Sequence, residues 1–359
     1  MKYITEISYD VDSEFWNNQL QHSFYSSVYQ SSLWIDIYKK SFNSIPVFII
    51  VKNDSRIVGQ LACMINSDYY WRDSGKFIKY IGKKLNLRNV LNWSYGPIIF
   101  DQKNENEIIL AILEAIEKII LKYHVTLVQG TSFPNSKFQY KNFDNYEYIE
   151  KKWITYILDL KSLNRDILTN FNKKIRYDFK RAEEANLKFK IVTDRDSFFD
   201  FAQFAIDSKN KKGDSRKWDP IFFNHLWDNL TSKGIHKVFL SYDKDQIVSS
   251  IDILNFNGRA IQVGVVNSTE KQFNSGTFLT LKTIEWLYDN NYESFDFGGA
   301  NPNPINIKEK QIDFFKSKWN GEKNEFFFYT KINSKYKTMF STFLKSPSSI
   351  KKFSIKGFN

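Results

Sequence analysis

Residues 292–322, YESFDFGGANPNPINIKEKQIDFFKSKWNGE, run from an apolar strand into two glycines, cross a polar stretch, and place two aromatics directly before Lys316. A fixed ammonium can stabilise negative charge that develops on a nearby oxygen. The same residues also suit Phe314 and Phe315 as core anchors next to a solvated lysine, so residue type alone leaves both readings open.

Three other groups could meet phosphate. The loop KQFNSGT precedes an apolar helical pattern, and Asn274, Ser275, Gly276 and Thr277 there offer helix N-terminal N–H groups and hydroxyls to an anion. Ordinary capping by Asn274 or Ser275 fits equally well. Lys173, Arg176 and Lys180 recur at helical spacing and would form a positive face, although Glu183 and Glu184 follow and suit a solvated one. KNKKGDSRKW, residues 209–218, is a basic polar loop containing Arg216 and Lys217, equally readable as ordinary surface. The aromatics Trp34, Tyr38 and Tyr95 are either walls of a groove or core.

Other chemistries find little support. His22, His124, His225 and His236 are scattered, with no HExxH and no close pair, and Cys63 stands alone, so no metal site and no intramolecular disulfide are expected. There is no GxGxxG, no Walker loop and no GxSxG.

A chain of 359 residues exceeds one ordinary hydrophobic core, which argues for two domains. With 42% hydrophobic and 25% charged residues, and no long apolar run or leader-like start, a soluble cytoplasmic protein is expected. The net charge of +11 implies an anionic partner. Residues 331–359 carry seven lysines and no acids, with Phe340, Phe343, Phe353 and Phe358 among them, which suits either a solvated end or peripheral contact with a membrane.

These residues sit in two similar orders of elements. In the first half, VYQSSLWIDIYKKSF has helical apolar spacing, VFIIVK and IVGQLACMI read as a hairpin, residues 105–122 form an isoleucine-faced helix, and VTLVQG is a strand. In the second half, residues 236–267 read as three antiparallel strands, TFLTLKTIEWLYDNN as a helix and SFDFGG as a closing strand. The repetition suggests a duplicated α/β unit joined near KKWITYILDL.

Set in this order, YQSSLWIDIY, SYGPII, TYILDL, NFNKKIRYDFKRAEEANLKFKIV, FDFGG and FFKSKWNGE resemble the FemABX family of peptidoglycan-bridge aminoacyltransferases, from about Tyr29 to Glu322. The resemblance implies an α/β (α+β) fold of two tandem GNAT-like domains, each a mixed, mainly antiparallel sheet flanked by helices. Their expected extents are 1–152, with 325–359 packing on it or forming a basic tail, and 153–324 carrying the acyl-transfer site. It implies transfer of an aminoacyl group from aminoacyl-tRNA to an amine of a nucleotide- or lipid-linked envelope precursor at the inner face of the membrane, with no tightly bound cofactor. The alternatives are an acyl-CoA-dependent GNAT N-acyltransferase for an amino sugar or amino acid, and a non-catalytic RNA- or membrane-binding relative.

By the same resemblance, Lys316 stabilises charge, the Phe315 carbonyl orients the amine, and Arg216 meets precursor phosphates with Trp34, Tyr38 and Tyr95 as groove walls. The donor falls to Asn274, Ser275, Gly276, Thr277, Lys173 and Arg176. The chain departs from the family pattern at Asp36, where a lysine is expected, at residues 130–132, where an acid is missing, and near Gln262 and Gly264, where an aromatic pair is replaced.

Overall fold

A computed structural model describes residues 3–67, 70, 74–136, 141–211, 220–268 and 274–345. The chain forms two compact units, Met1–Lys152 together with Phe326–Asn359, and Trp153–Glu325.

The first unit contains β1 (Ile4–Ser8), α1 (Ser13–Gln21), α2 (Ser32–Phe42), β2 (Ile45–Asn53), β3 (Arg56–Asn66), α3 (Lys76–Lys84), β4 (Val90–Asn92), β5 (Ile98–Ile99), α4 (Glu105–Tyr123) and β6 (Leu127–Thr131). The Ser31 side chain caps α2 by accepting from the Trp34 N–H at 3.2 Å, and left-handed Asn43 ends the helix three residues before Pro46. The expected hairpin is present as β2–β3, fully antiparallel. Glu105 and Glu107 lie in the first turn of α4, which buries Ile108, Ile109, Ile112, Leu113, Ile116, Ile119 and Ile120 in the core with Val47, Ile49 and Leu61 of the hairpin. The sheet runs β1-β2-β3-β4-β6 and is closed by β13 (Glu322–Ile332), whose residues 328–332 pair with β6.

The second unit contains β7 (Ile149–Asp159, from Trp153 onward), α5 (Lys173–Glu184), β8 (Lys188–Ile191), α6 (Arg195–Lys211), α7 (Pro220–Leu226), β9 (His236–Asp243), β10 (Gln246–Phe256), β11 (Arg259–Asn267), α8 (Ser275–Asp289), β12 (Ser294–Asp296) and α9 (Ile307–Ser317). Its sheet order is β7-β12-β11-β10-β9-β8. Phe179 of α5 and Leu279, Leu281 and Ile284 of α8 bury against Phe239, Ile251 and Ile253, so these helices cover one face. Residues three apart on a regular strand face opposite ways, so His236 lies on the other face, where Phe198 of α6 packs on it.

Each sheet is mainly antiparallel with one parallel pair, β4–β6 or β11–β12, and in each the long helix α4 or α8 precedes the second strand of that pair. One sequence expectation changes. The polar stretch before Phe314 contains helix α9, capped by the Asn306 side chain at 2.9 Å from the Glu309 N–H. None of its residues is fully buried, so it presents no apolar stripe by which periodicity would reveal it.

Candidate acyl-transfer site

Strand β12 ends at Asp296, whose buried carboxylate accepts from the Thr155 hydroxyl of β7 and from the Gly298 N–H at 2.7 Å. Burial pushes its pKa up, opposed by those two bonds and by the nearby Lys316. Gly298 takes φ +73°, in the left-handed region open to glycine, and a Cβ there would lie 3.1 Å from the Gln262 carbonyl oxygen. The carbonyls of Gly298 and Gly299 accept from Lys316 Nζ at 2.7 and 2.9 Å.

An ammonium has three donors, so these two bonds hold Lys316 in place and leave one N–H for a reacting group. Burial lowers its pKa to about 8, while Asp296 and Asp313 hold it up. It therefore stays mostly protonated at neutral pH. Asp313, one turn earlier on α9, accepts from the Tyr156 hydroxyl at 2.8 Å and ties the helix to β7. Burial, then that bond, raise the Tyr156 pKa to about 12.

Phe315 is partly buried against the edge of Trp319, centroids 6.1 Å apart. The Trp319 N–H turns to the Lys316 carbonyl at 3.3 Å instead of to the Phe315 carbonyl four residues back. The helical ladder thus ends without engaging the Phe315 oxygen from that donor.

At the start of α8, Asn274 is left-handed and its side chain makes no cap. Its Nδ2 donates instead to Asp178 of α5 at 3.3 Å, which also binds Lys174 Nζ at 2.8 Å. The Asn274 side chain thus caps none of the first N–H groups of the helix, at Ser275 and Gly276. Thr277 Oγ1 accepts from Lys318 Nζ at 3.0 Å, and that ammonium lies 4.4 Å from the Phe315 ring centroid. Burial lowers the Lys318 pKa, opposed by Asp178.

The expected residues are thus partly assembled. Phe315, Asn274 and Thr277 meet around Lys318 and Asp178, with Lys174 on Asp178, while Lys316 is held separately by the Gly298 and Gly299 carbonyls. Lys173 is exposed and Arg176 half-buried on α5, outside these bonds. Arg216 and Lys217 lie outside the described residues, as do Phe353 and Phe358. In the first unit, Trp34 and Tyr95 are buried and pack edge-on against Tyr29, at 4.9 and 5.3 Å, while Tyr38 is half-exposed beside Trp34. Asp36 is paired with Lys40 at 2.6 Å.

Sequence reading passed over Asp296, Asp313, Tyr156, Lys174, Asp178 and Lys318. An acid inside the apolar run SFDFGG, and a second one three residues before Lys316, were the available signals. The departure at Gly264 has a physical reason. A Cβ there would lie 2.3 Å from Asp252 Oδ1, and the other oxygen of Asp252 is 3.3 Å from Nε2 of buried His236. A large side chain at that position is incompatible with this pair.

Residues 169–306 match the family model described as an acetyltransferase (GNAT) domain. No curated protein matches the sequence. Among solved structures, FemX superposes with a TM-score of 0.67 at 12% identity, over 91% of this chain and 97% of FemX. A tandem GNAT protein from the clavulanic acid biosynthesis pathway gives 0.60 at 10% identity, over 93% and 99%. The C-terminal domain of a putative lysylphosphatidylglycerol synthetase from Agrobacterium fabrum gives 0.55 at 12% identity, over 94% and 96%. Residues 169–306 are thus similar to a GNAT acetyltransferase domain, and the chain shares its fold with FemX and with the tandem GNAT protein.

Proposed function

We propose that the protein forms an amide by moving an aminoacyl group from aminoacyl-tRNA to an amine on the stem peptide of a peptidoglycan-type precursor, in the cytoplasm at the inner face of the membrane. The reaction belongs to the second of two GNAT-like domains, residues 153–324. The observation that carries this reading is the fixed ammonium of Lys316, held by the Gly298 and Gly299 carbonyls with one donor to spare. The amine nitrogen attacks the ester carbonyl, the C–N bond forms, the bond to the ribose oxygen breaks, and the proton lost by the amine ends on that oxygen as the ribose hydroxyl. Lys316 donates to the oxygen on which charge develops. The Phe315 carbonyl orients the amine. The N–H groups of Ser275 and Gly276, with Asn274, Thr277, Lys173 and Arg176, take the phosphates of the donor. Arg216, Tyr38, Trp34 and Tyr95 are assigned to the nucleotide- or lipid-linked acceptor. Likeness in fold to FemX and to a lysylphosphatidylglycerol synthetase domain supports an aminoacyl donor.

The uncapped start of α8 and the acetyltransferase domain match favour a second reading, an acyl-CoA donor with a C–S bond broken in its place. Incubation with charged tRNA and, separately, with acyl-CoA, each with candidate amine acceptors, separates the two by the mass gained. Transfer from CoA alone removes the first reading.

A further inference from the structure

Helix α10 (Lys335–Lys345) of the first unit is built inside out. It buries Thr338 and Ser341, 4% and 0% exposed, and turns Tyr336, Met339 and Phe340 outward, Tyr336 at 89%. These three are spaced i, i+3, i+4, so they form one outward stripe. Helix α3 packs on α10 and also turns aromatic residues outward. Its Phe77 is 74% exposed and Tyr80 follows one turn on, also exposed. Other exposed apolar residues occur, such as Phe24 at 69% and Ile307 and Phe314 of α9, but on α3 and α10 they stand on adjoining helices that carry lysines and no acid.

The charge on these helices has one sign. Helix α3 contains Lys76, Lys79, Lys83 and Lys84, α10 contains Lys335, Lys337 and Lys345, and neither contains an acid. Lysines next to exposed Phe, Tyr and Met are the composition of a surface that rests on anionic phospholipid, with rings and thioether among the acyl-chain ends and ammonium groups at the headgroups. RNA would use the charge and stack on the rings but leave Met339 without a counterpart. The chain's own residues 346–359 carry three further lysines and no acid, so like charge opposes their covering the patch.

We propose that the exposed faces of α3 and α10 form a docking surface for an anionic lipid bilayer. The surface lies in the first unit and includes none of the residues assigned to acyl transfer, and the proposal does not depend on which donor the enzyme uses. No described helix is long and apolar enough to cross a membrane, so the contact is a surface one.

The test is flotation of the full chain with vesicles of phosphatidylcholine alone and of phosphatidylcholine with phosphatidylglycerol. The expected result is binding to the anionic vesicles, lowered about tenfold or more in Phe77→Ser/Met339→Ser/Phe340→Ser and in Lys76→Glu/Lys84→Glu, with unchanged melting temperature and unchanged acyl transfer to a soluble acceptor. Equal binding by both variants and the parent overturns the proposal. So does binding abolished by Lys351→Ser/Lys352→Ser/Lys356→Ser alone, which would give the contact to the C-terminal tail. Absence of vesicle binding, with the patch variants weakening instead tRNA affinity or self-association, overturns it in favour of that partner.

Discussion

In the first unit the closing strand β6 runs into Gly130, where the Trp93 ring fills the space so tightly that a Cβ would come within 2.0 Å of it, and Trp93 Nε1 donates to the Gly96 carbonyl at 3.1 Å. In the second unit the closing strand β12 runs into Gly298, and the space beside it holds Asp296, Lys316, Asp313 and the Tyr156 hydroxyl. The two parallel pairs are alike in topology, but one end is packed with an indole and the other keeps ionisable groups that burial has displaced from their ordinary pKa values. Buried charge is costly unless it is bonded, and it persists where it does chemistry. The contrast suits a structural role for the first closing strand and supports the chemical one proposed for the second.

The comparison can be broken from either side. Trp93→Ala removes an indole and leaves Gly130 facing a void, and is expected to cost about 3–5 kcal/mol in denaturant unfolding. Acyl transfer per folded molecule should be unchanged, and a specific loss of turnover would contradict the structural role. In the second unit, Gly264→Ala drives a methyl group into Asp252 and should cost about 1–3 kcal/mol. Adding Asp252→Ala should recover much of that loss, and strictly additive effects in the double variant would show that the close approach is not the cause.

The smallest effect is a pH dependence. The pKa of Lys316 is lowered to about 8, so the ammonium is complete well below that value and is lost as pH rises through it. The rate of the chemical step should fall to about half near the folded pKa and continue downward above it, provided other groups are held constant. A flat profile across that range would separate Lys316 from the chemistry.

The fold was more legible than the site. The isoleucines of α4, the β2–β3 hairpin and the order of strand, helix and strand in each half all carry apolar periodicity, which survives in a single sequence. Helix α9 does not, since it buries no residue fully, although it is the element that delivers Lys316. Lys316 and Thr277 could be singled out by type and place, but Lys318, which donates to Thr277, looks like one more lysine in a lysine-rich chain. Asp178 and Asn274 meet across 96 positions of sequence, a separation that local patterning does not register. For Trp34 and Tyr95 aromatic type left core and groove wall both open, and it is packing on Tyr29, invisible to local patterning, that buries them.

The central claim is that Lys316 stabilises charge during amide formation. The most direct measurement is the single-turnover rate of amide formation by Lys316→Ala, with whichever donor supports the parent enzyme, after its folding has been verified by circular dichroism and melting temperature. The expected result is a rate about 10²–10³ lower, with donor affinity little changed. A folded Lys316→Ala enzyme that forms the amide at the parent rate would contradict the account.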